Sequence, residues 1–199
     1  MSRTARIPNL GGAKAFVLHR PHGTVSSIIR QLSAIGLAAT DCWPELPAEV
    51  LAADFVFFDA DLGFDQQFPW APGRAPMPMI ALIGSEAPGR IEWALTHADA
   101  QLLKPVGNAG VYSALLIARQ NFEARRRLAD EIESLRERVA ERQTIVRAVA
   151  ALSARGVDDE RAYAQLRSFA MSWQVSLEEA ARRIVAMREE DGGDQSHRA

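Results

Sequence analysis

The side chains of this chain best suited to chemistry stand near its C-terminal end. Arg147, Arg155, Arg167 and Arg182 recur through a stretch of helical periodicity, with Tyr163 and Trp173 among them. A guanidinium forks onto phosphate oxygens or stacks on an unpaired base, and an aromatic ring stacks on a base face. The set therefore suits the loops of a folded RNA, where unstacked bases are open to side chains. Ala148 and Ala150 are small enough to let backbone and RNA approach closely. Asp158, Asp159, Glu160, Glu178 and Glu179 nearly balance the arginines, so the competing reading is an ordinary solvated helix surface.

Other candidate chemistry is sparse. His19 and His22 have a spacing compatible with metal binding, but no cysteine or acidic ligands accompany them, so no metal site is assigned. Cys42 is the only cysteine and reads as a small, partly buried hydrophobe. No nucleophile elbow, phosphate-binding glycine loop or pair of catalytic carboxylates occurs in a plausible setting. No catalytic residue, cofactor or enzymatic activity is therefore expected.

The 199 residues carry a net charge of −2, which excludes a protein that coats nucleic acid by bulk electrostatics. Any RNA contact must be local. There is no apolar run long enough to span a bilayer and the first residues lack the core of a signal peptide, so a cytoplasmic protein with no membrane association is expected.

Three helices must position the arginines. Ile145, Ala148, Val149 and Leu152 form one apolar stripe, Ala162, Leu166, Phe169 and Ala170 a second, and Leu177, Ala180, Ala181, Ile184 and Val185 a third. Gly156 fits a helix C-cap and Asp158 the following N-cap, while Ser176 with Glu179 makes a capping box for the third helix. Before them, Leu128, Ile132, Leu135 and Val139 alternate steps of four and three, the seam of a two-stranded coiled coil, and predict a homodimer. No proline or glycine interrupts the chain from about Val111 to Arg155, so one long helix is expected there.

The first part of the chain alternates strands and helices. AFVLH, LAATDCW, ADFVFFDA, MIALIG and AQLLK read as strands; VSSIIRQLSAIG, RIEWALTHA and AGVYSALLIARQ read as helices. This alternation predicts an α/β domain with a five-stranded parallel sheet. FPWAPGRAPMP is too rich in proline and glycine for a helix, so one crossover should be irregular or shortened. The expected organisation is a flexible leader at 1–12, an α/β domain at 13–120, a coiled-coil linker helix at 121–141, a helical binding domain at 142–189 and a disordered tail at 190–199.

The order Ile145, Ala148, Leu152, Gly156, Glu160, Ala162, Tyr163, Leu166, Arg167, Ala170, Met171, Leu177, Ala181, Ile184 resembles the ANTAR domain, an RNA-binding antitermination module. The resemblance implies binding to paired hairpin loops in nascent leader mRNA and prevention of terminator formation. Where that family has Ala-Lys-Gly on its first helix, this chain has Ala148, Val149 and Ala150, which removes one expected phosphate contact.

Residues 13–120 resemble the receiver domain of bacterial response regulators, a flavodoxin-like fold. Asp59 matches the phosphoacceptor position, and Lys104 with Pro105 matches the Lys-Pro pair after the fifth strand. In place of the family's two metal-binding acids stand His19 and Arg20, and the hydroxyl residue ending the fourth strand is replaced by Ile83, with Ser85 nearby. A divalent ion needs oxygen ligands, and phosphoryl transfer needs that ion, so the resemblance implies a pseudo-receiver with a vestigial phosphoacceptor pocket. Asp59 and Lys104 are expected to form a structural ion pair.

VLHRPHGTVSSIIRQLSAIG and TDCWP resemble the family of amidase-operon antiterminators. That resemblance implies control by a cytoplasmic, ligand-sensing negative regulator similar to an amide-binding protein, which sequesters the antiterminator until a small amide binds. The alternative is a phosphorylation-dependent response regulator with DNA-binding or protein-interaction output.

Overall fold

The computed structural model describes residues 10–107, 109–154 and 156–195, with side chains to residue 188. The chain divides into two compact units, residues 1–127 and 128–199.

The first unit is built on five parallel strands: β1 (Lys14–Leu18), β2 (Ala38–Cys42), β3 (Phe55–Asp59), β4 (Met79–Ile83) and β5 (Ala100–Leu103), in the order β2-β1-β3-β4-β5. The central strands β3 and β4 are buried at every residue, as their unbroken apolar sequence requires when both faces are covered. Alternation sends Phe55 and Phe57 to one face, against α1 (Gly23–Ile35) and the start of α3 (Val111–Ser153). Val56 and Phe58 go to the other, against α2 (Pro88–His97) and irregular chain. His22 caps α1, its side chain accepting from the Thr24 N–H at 3.2 Å, and Gly36 ends it at φ 97°.

Two crossovers lack an α-helix, where the sequence predicts one irregular crossover. Between β2 and β3 the chain makes only a 3₁₀ turn at Ala48–Ala52, and between β3 and β4 another at Asp65–Gln67. Pro44 and Pro47 leave too little uninterrupted chain for a helix in the first of these. In the second, aromatic packing replaces helix packing. Phe58 meets Phe68 and Trp93 edge-on at 5.4 and 5.6 Å, and Asp65 accepts from Trp93 Nε1 at 2.7 Å while lying 3.0 Å from His97 Nε2.

Helix α3 runs unbroken for 43 residues, as the absence of proline and glycine predicts. The first compact unit includes Arg125, which is tied to Asp99 by a 3.0 Å ion pair.

The second unit packs the end of α3 against α4 (Asp159–Trp173) and α5 (Leu177–Gln195). Ala148, Leu152, Ala162, Leu166, Ala170, Ala180, Ala181 and Ile184 form its buried core. Gly156 takes φ 84°, and Asp158 accepts from the Arg161 N–H at 2.9 Å. Ser176 Oγ accepts from the Glu179 N–H at 3.2 Å, but the Glu179 carboxylate pairs with Arg182 and Arg183, each at 3.0 Å. Helix α5 continues to Gln195, into the stretch read from sequence as a disordered tail beginning at 190; no proline stops it, and glycine costs only about 1 kcal/mol within a helix. Of the leader expected at 1–12, residues 1–9 lie outside the described residues, as do 196–199, whereas Leu10 is buried in the core of the α/β unit and the Gly12 N–H donates to the Gly36 carbonyl at 2.9 Å.

Candidate functional site

The α/β unit brings His19, Asp59, Asp61 and Lys104 together at the C-terminal edge of its sheet, where open α/β folds place their sites. Asp59 is the last residue of β3, His19 follows β1 and Lys104 follows β5, so side chains from the ends of three strands converge across β4. Lys104 Nζ lies 2.7 Å from Asp59 Oδ1 and 2.6 Å from Asp61 Oδ2. The expected ion pair between Asp59 and Lys104 is therefore present, and a second carboxylate shares the ammonium. His19 Nδ1 donates to the Arg20 carbonyl at 2.7 Å, and its Nε2 stands 3.5 Å from both Asp59 Oδ2 and Lys104 Nζ.

Asp59 Oδ1 is thus engaged by Lys104 and also accepts from the Asp61 N–H at 3.0 Å, while Oδ2 faces His19 Nε2 and the side chain is only 2% exposed. The donor set does not fit a hard divalent cation such as Mg²⁺. An ammonium already bridges the two carboxylates, and the third group is an imidazole where a hard ion needs oxygen. Among the described residues no group of three His, Cys, Asp or Glu side chains is arranged to hold a metal. His22 is occupied as the α1 cap.

Sequence reading missed Asp61. Its carboxylate accepts from the backbone N–H of Gly84 at 3.0 Å and of Ser85 at 2.9 Å. Burial alone would raise its pKa, but these bonds and the Lys104 charge hold it below the usual carboxylate range. The one signal in the sequence was that the β3 run ends in acids.

On the helical unit, Tyr163 and Arg167 are exposed one turn apart on α4, Tyr163 to 42%. Arg147 of α3 lines a groove of about 260 Å³ with Ala150, Ala151, Val185 and Arg188, which neither Arg167 nor Arg182 lines. Arg182 is exposed and paired with Glu179. Arg188 was not singled out from sequence, although it lies one turn beyond Ile184 on the α5 stripe. Arg155 lies outside the described residues.

Ala148 needs correction. It is fully buried, so its methyl group belongs to the helical core and offers no surface to RNA; a small residue on a helix stripe here means close helix packing. Trp173 also packs inward, stacked on Phe169 at 5.2 Å with Arg183 over its ring at 5.8 Å.

The seam residues Leu128, Ile132, Leu135 and Val139 are 40–58% exposed. Nothing else on that stretch of α3 is a large apolar side chain.

A receiver-like sheet with a lysine-closed acidic pocket, joined by one helix to a compact helical unit, defines a two-part regulator. The chain belongs to the family described as AmiR, N-terminal, whose profile matches residues 13–119, and the profile of the ANTAR domain matches residues 133–185. The aliphatic amidase regulator of Pseudomonas aeruginosa is 25% identical over 190 residues, covering 93% of this chain and 97% of its own length. Among solved structures, the ShkA Rec1 domain in complex with c-di-GMP is 21% identical, covering 54% of this chain and 93% of that one, with a TM-score of 0.42. A response regulator from Thermotoga maritima is 16% identical, covering 56% of this chain and 98% of that one, with a TM-score of 0.41. No helix among the described residues is long and apolar enough to cross a membrane.

Proposed function

We propose that this chain is a cytoplasmic, non-enzymatic transcription antiterminator that binds hairpin loops in leader mRNA and prevents termination. The observation that carries this reading is the coincidence of the ANTAR match, residues 133–185, with a folded three-helix unit that keeps Tyr163 and Arg167 on its surface. Tyr163 stacks on an unpaired base, and Arg147, Arg155, Arg167 and Arg182 contact phosphates or base edges. Two copies pair through Leu128, Ile132, Leu135 and Val139, an apolar seam on an otherwise charged helix, so that one dimer engages two hairpins.

Control comes from a ligand-sensing partner similar to an amide-binding protein rather than from phosphorylation. The match to the AmiR family and to an aliphatic amidase regulator supports the partner. The burial of Asp59 and its engagement by Lys104 support independence from phosphorylation.

The test is binding of the full chain to a two-hairpin leader RNA across a salt series, with duplex DNA as control. RNA-selective binding whose salt slope reports a few phosphate contacts is expected. Equal affinity for duplex DNA would overturn the reading.

A further inference from the structure

The apolar seam of α3 does not end at Val139. Steps of three and four carry it on to Arg142 and Val146, which share one stripe of the helix with Leu128, Ile132, Leu135 and Val139. Val146 is 66% exposed, whereas its neighbours Ile145, Ala148 and Val149 pack into the helical core. It therefore faces away from its own unit, in line with the seam that a second copy covers.

Arg142 is the exception in this stripe, a permanent charge between two valines. It is exposed and makes no ion pair with any described residue. One turn to either side stand Arg138, Val139, Ile145 and Val146, none of them an acid. When two such helices pair in parallel and in register, each seam side chain enters a hole formed by four residues of the facing helix. For Arg142 these are the partner's Val139, Arg142, Gln143 and Val146. The layer thus sets two guanidiniums on the two-fold axis with no carboxylate in either hole. Charges drawn together in this way, and partly out of water, call for an anion.

We propose that Arg142 and the partner's Arg142 form a phosphate site on the dimer axis, incomplete in either copy alone, and that its ligand is a backbone phosphodiester of the single strand joining the two RNA hairpins. The proposal rests on the reading of the chain as a paired, hairpin-binding antiterminator, and it adds a contact apart from the loop-binding surfaces. Two guanidinium forks match the two non-bridging oxygens of one phosphodiester, whose charge offsets their mutual repulsion. Without RNA the two charges push the helices apart at this layer. Pairing of the chains and capture of the linker therefore reinforce each other.

The test uses the full chain and Arg142→Leu with a two-hairpin RNA whose linker carries either ordinary phosphodiesters or uncharged methylphosphonates. Wild type should bind the charged linker at least tenfold more tightly than the neutral one, and Arg142→Leu should bind both alike. The same linker preference in both proteins overturns the proposal and leaves the antiterminator reading standing, whereas failure of both proteins to bind either RNA removes both.

Two measurements without RNA check the geometry. In sedimentation Arg142→Leu should dimerise at least tenfold more tightly than wild type, because leucine fills the seam; an unchanged dimer overturns the placement of Arg142 there. Arg142→Cys, with Cys42→Ala, should close into a disulfide-linked dimer under mild oxidation, since the bond forms only between residues that meet on the axis. A chain that stays unlinked overturns the shared site.

Discussion

Arg125 of helix α3 grips Asp99, the residue just before β5, placing Nη2 3.0 Å from Oδ1 and 3.2 Å from Oδ2, and its guanidinium also donates to the Gly73 carbonyl. The Met79 N–H holds Asp99 Oδ2 at 3.0 Å. One side chain thereby fastens α3 to the strand end and to the irregular crossover.

Arg125→Ala should lower the stability of the α/β unit by about 2 kcal/mol, the scale of a charge-assisted bond to a largely buried carboxylate, read as a lower urea midpoint. Burial raises the Asp99 pKa, with the Met79 N–H and Arg125 acting against it. The folded state therefore holds this proton more tightly than the unfolded chain, and stability falls as pH rises from the ordinary carboxylate value through the folded one. Removing Arg125 should extend that fall to higher pH.

Asp61 titrates with the opposite sign. Its folded pKa is lowered from 3.8, so its contribution is complete above that value and disappears as pH falls through the folded one. Urea midpoints of wild type and Asp61→Asn should differ at neutral pH and converge as pH falls below the ordinary carboxylate range. A gap independent of pH would show that the carboxylate charge is not what stabilises the pocket.

Cys42 should be a slow thiol. Burial, and then the neighbouring Asp41 charge, push it up to about 11. Alkylation by iodoacetamide near pH 8 should run on the order of a hundredfold slower than for a free cysteine, since only the thiolate reacts. Unfolding in urea should restore the ordinary rate.

Ile132→Asp with Leu135→Arg places charges in the α3 seam. Light scattering should report a monomer, while circular dichroism keeps the helical signal. Affinity for two-hairpin RNA should drop at least tenfold through loss of bivalency, with single-hairpin affinity unchanged.

Tyr163→Ala should cost RNA binding about 1–3 kcal/mol if the ring stacks on a base. Arg167→Ala should weaken binding and reduce the salt slope by about 0.7, one phosphate contact on a single-stranded loop. Both side chains are exposed, so melting temperatures should stay within a degree or two of wild type, a span of under about 0.5 kcal/mol.

Much of this architecture can be read locally. The apolar runs FVFFD and MIALI mark central strands because no exposed strand keeps both faces apolar, and Gly156 and Asp158 mark a helix boundary because their conformational and capping roles are local. The role of Asp61 was hidden because its donors lie 23, 24 and 43 residues away, and only closure of the sheet brings them near. Ala148 was misread because a small side chain permits either ligand approach or helix packing, and burial alone decides between them. The β2–β3 crossover was read without its 3₁₀ turn because five residues are too few for a periodic pattern.

The helical core has a thermal consequence. Five of the eight buried residues that form it, Ala148, Ala162, Ala170, Ala180 and Ala181, are alanine. Alanines bring helix axes close but remove little apolar area from water, at about 25 cal/mol per Å². Unfolding such a unit exposes less hydrocarbon than unfolding the sheet unit, so its heat-capacity increment is the smaller and its stability curve the broader. A ligand that binds only the folded form then moves its melting temperature far more than it would for a unit with a large core. In calorimetry the C-terminal unit is the one whose transition should climb on RNA addition, while that of the sheet stays in place.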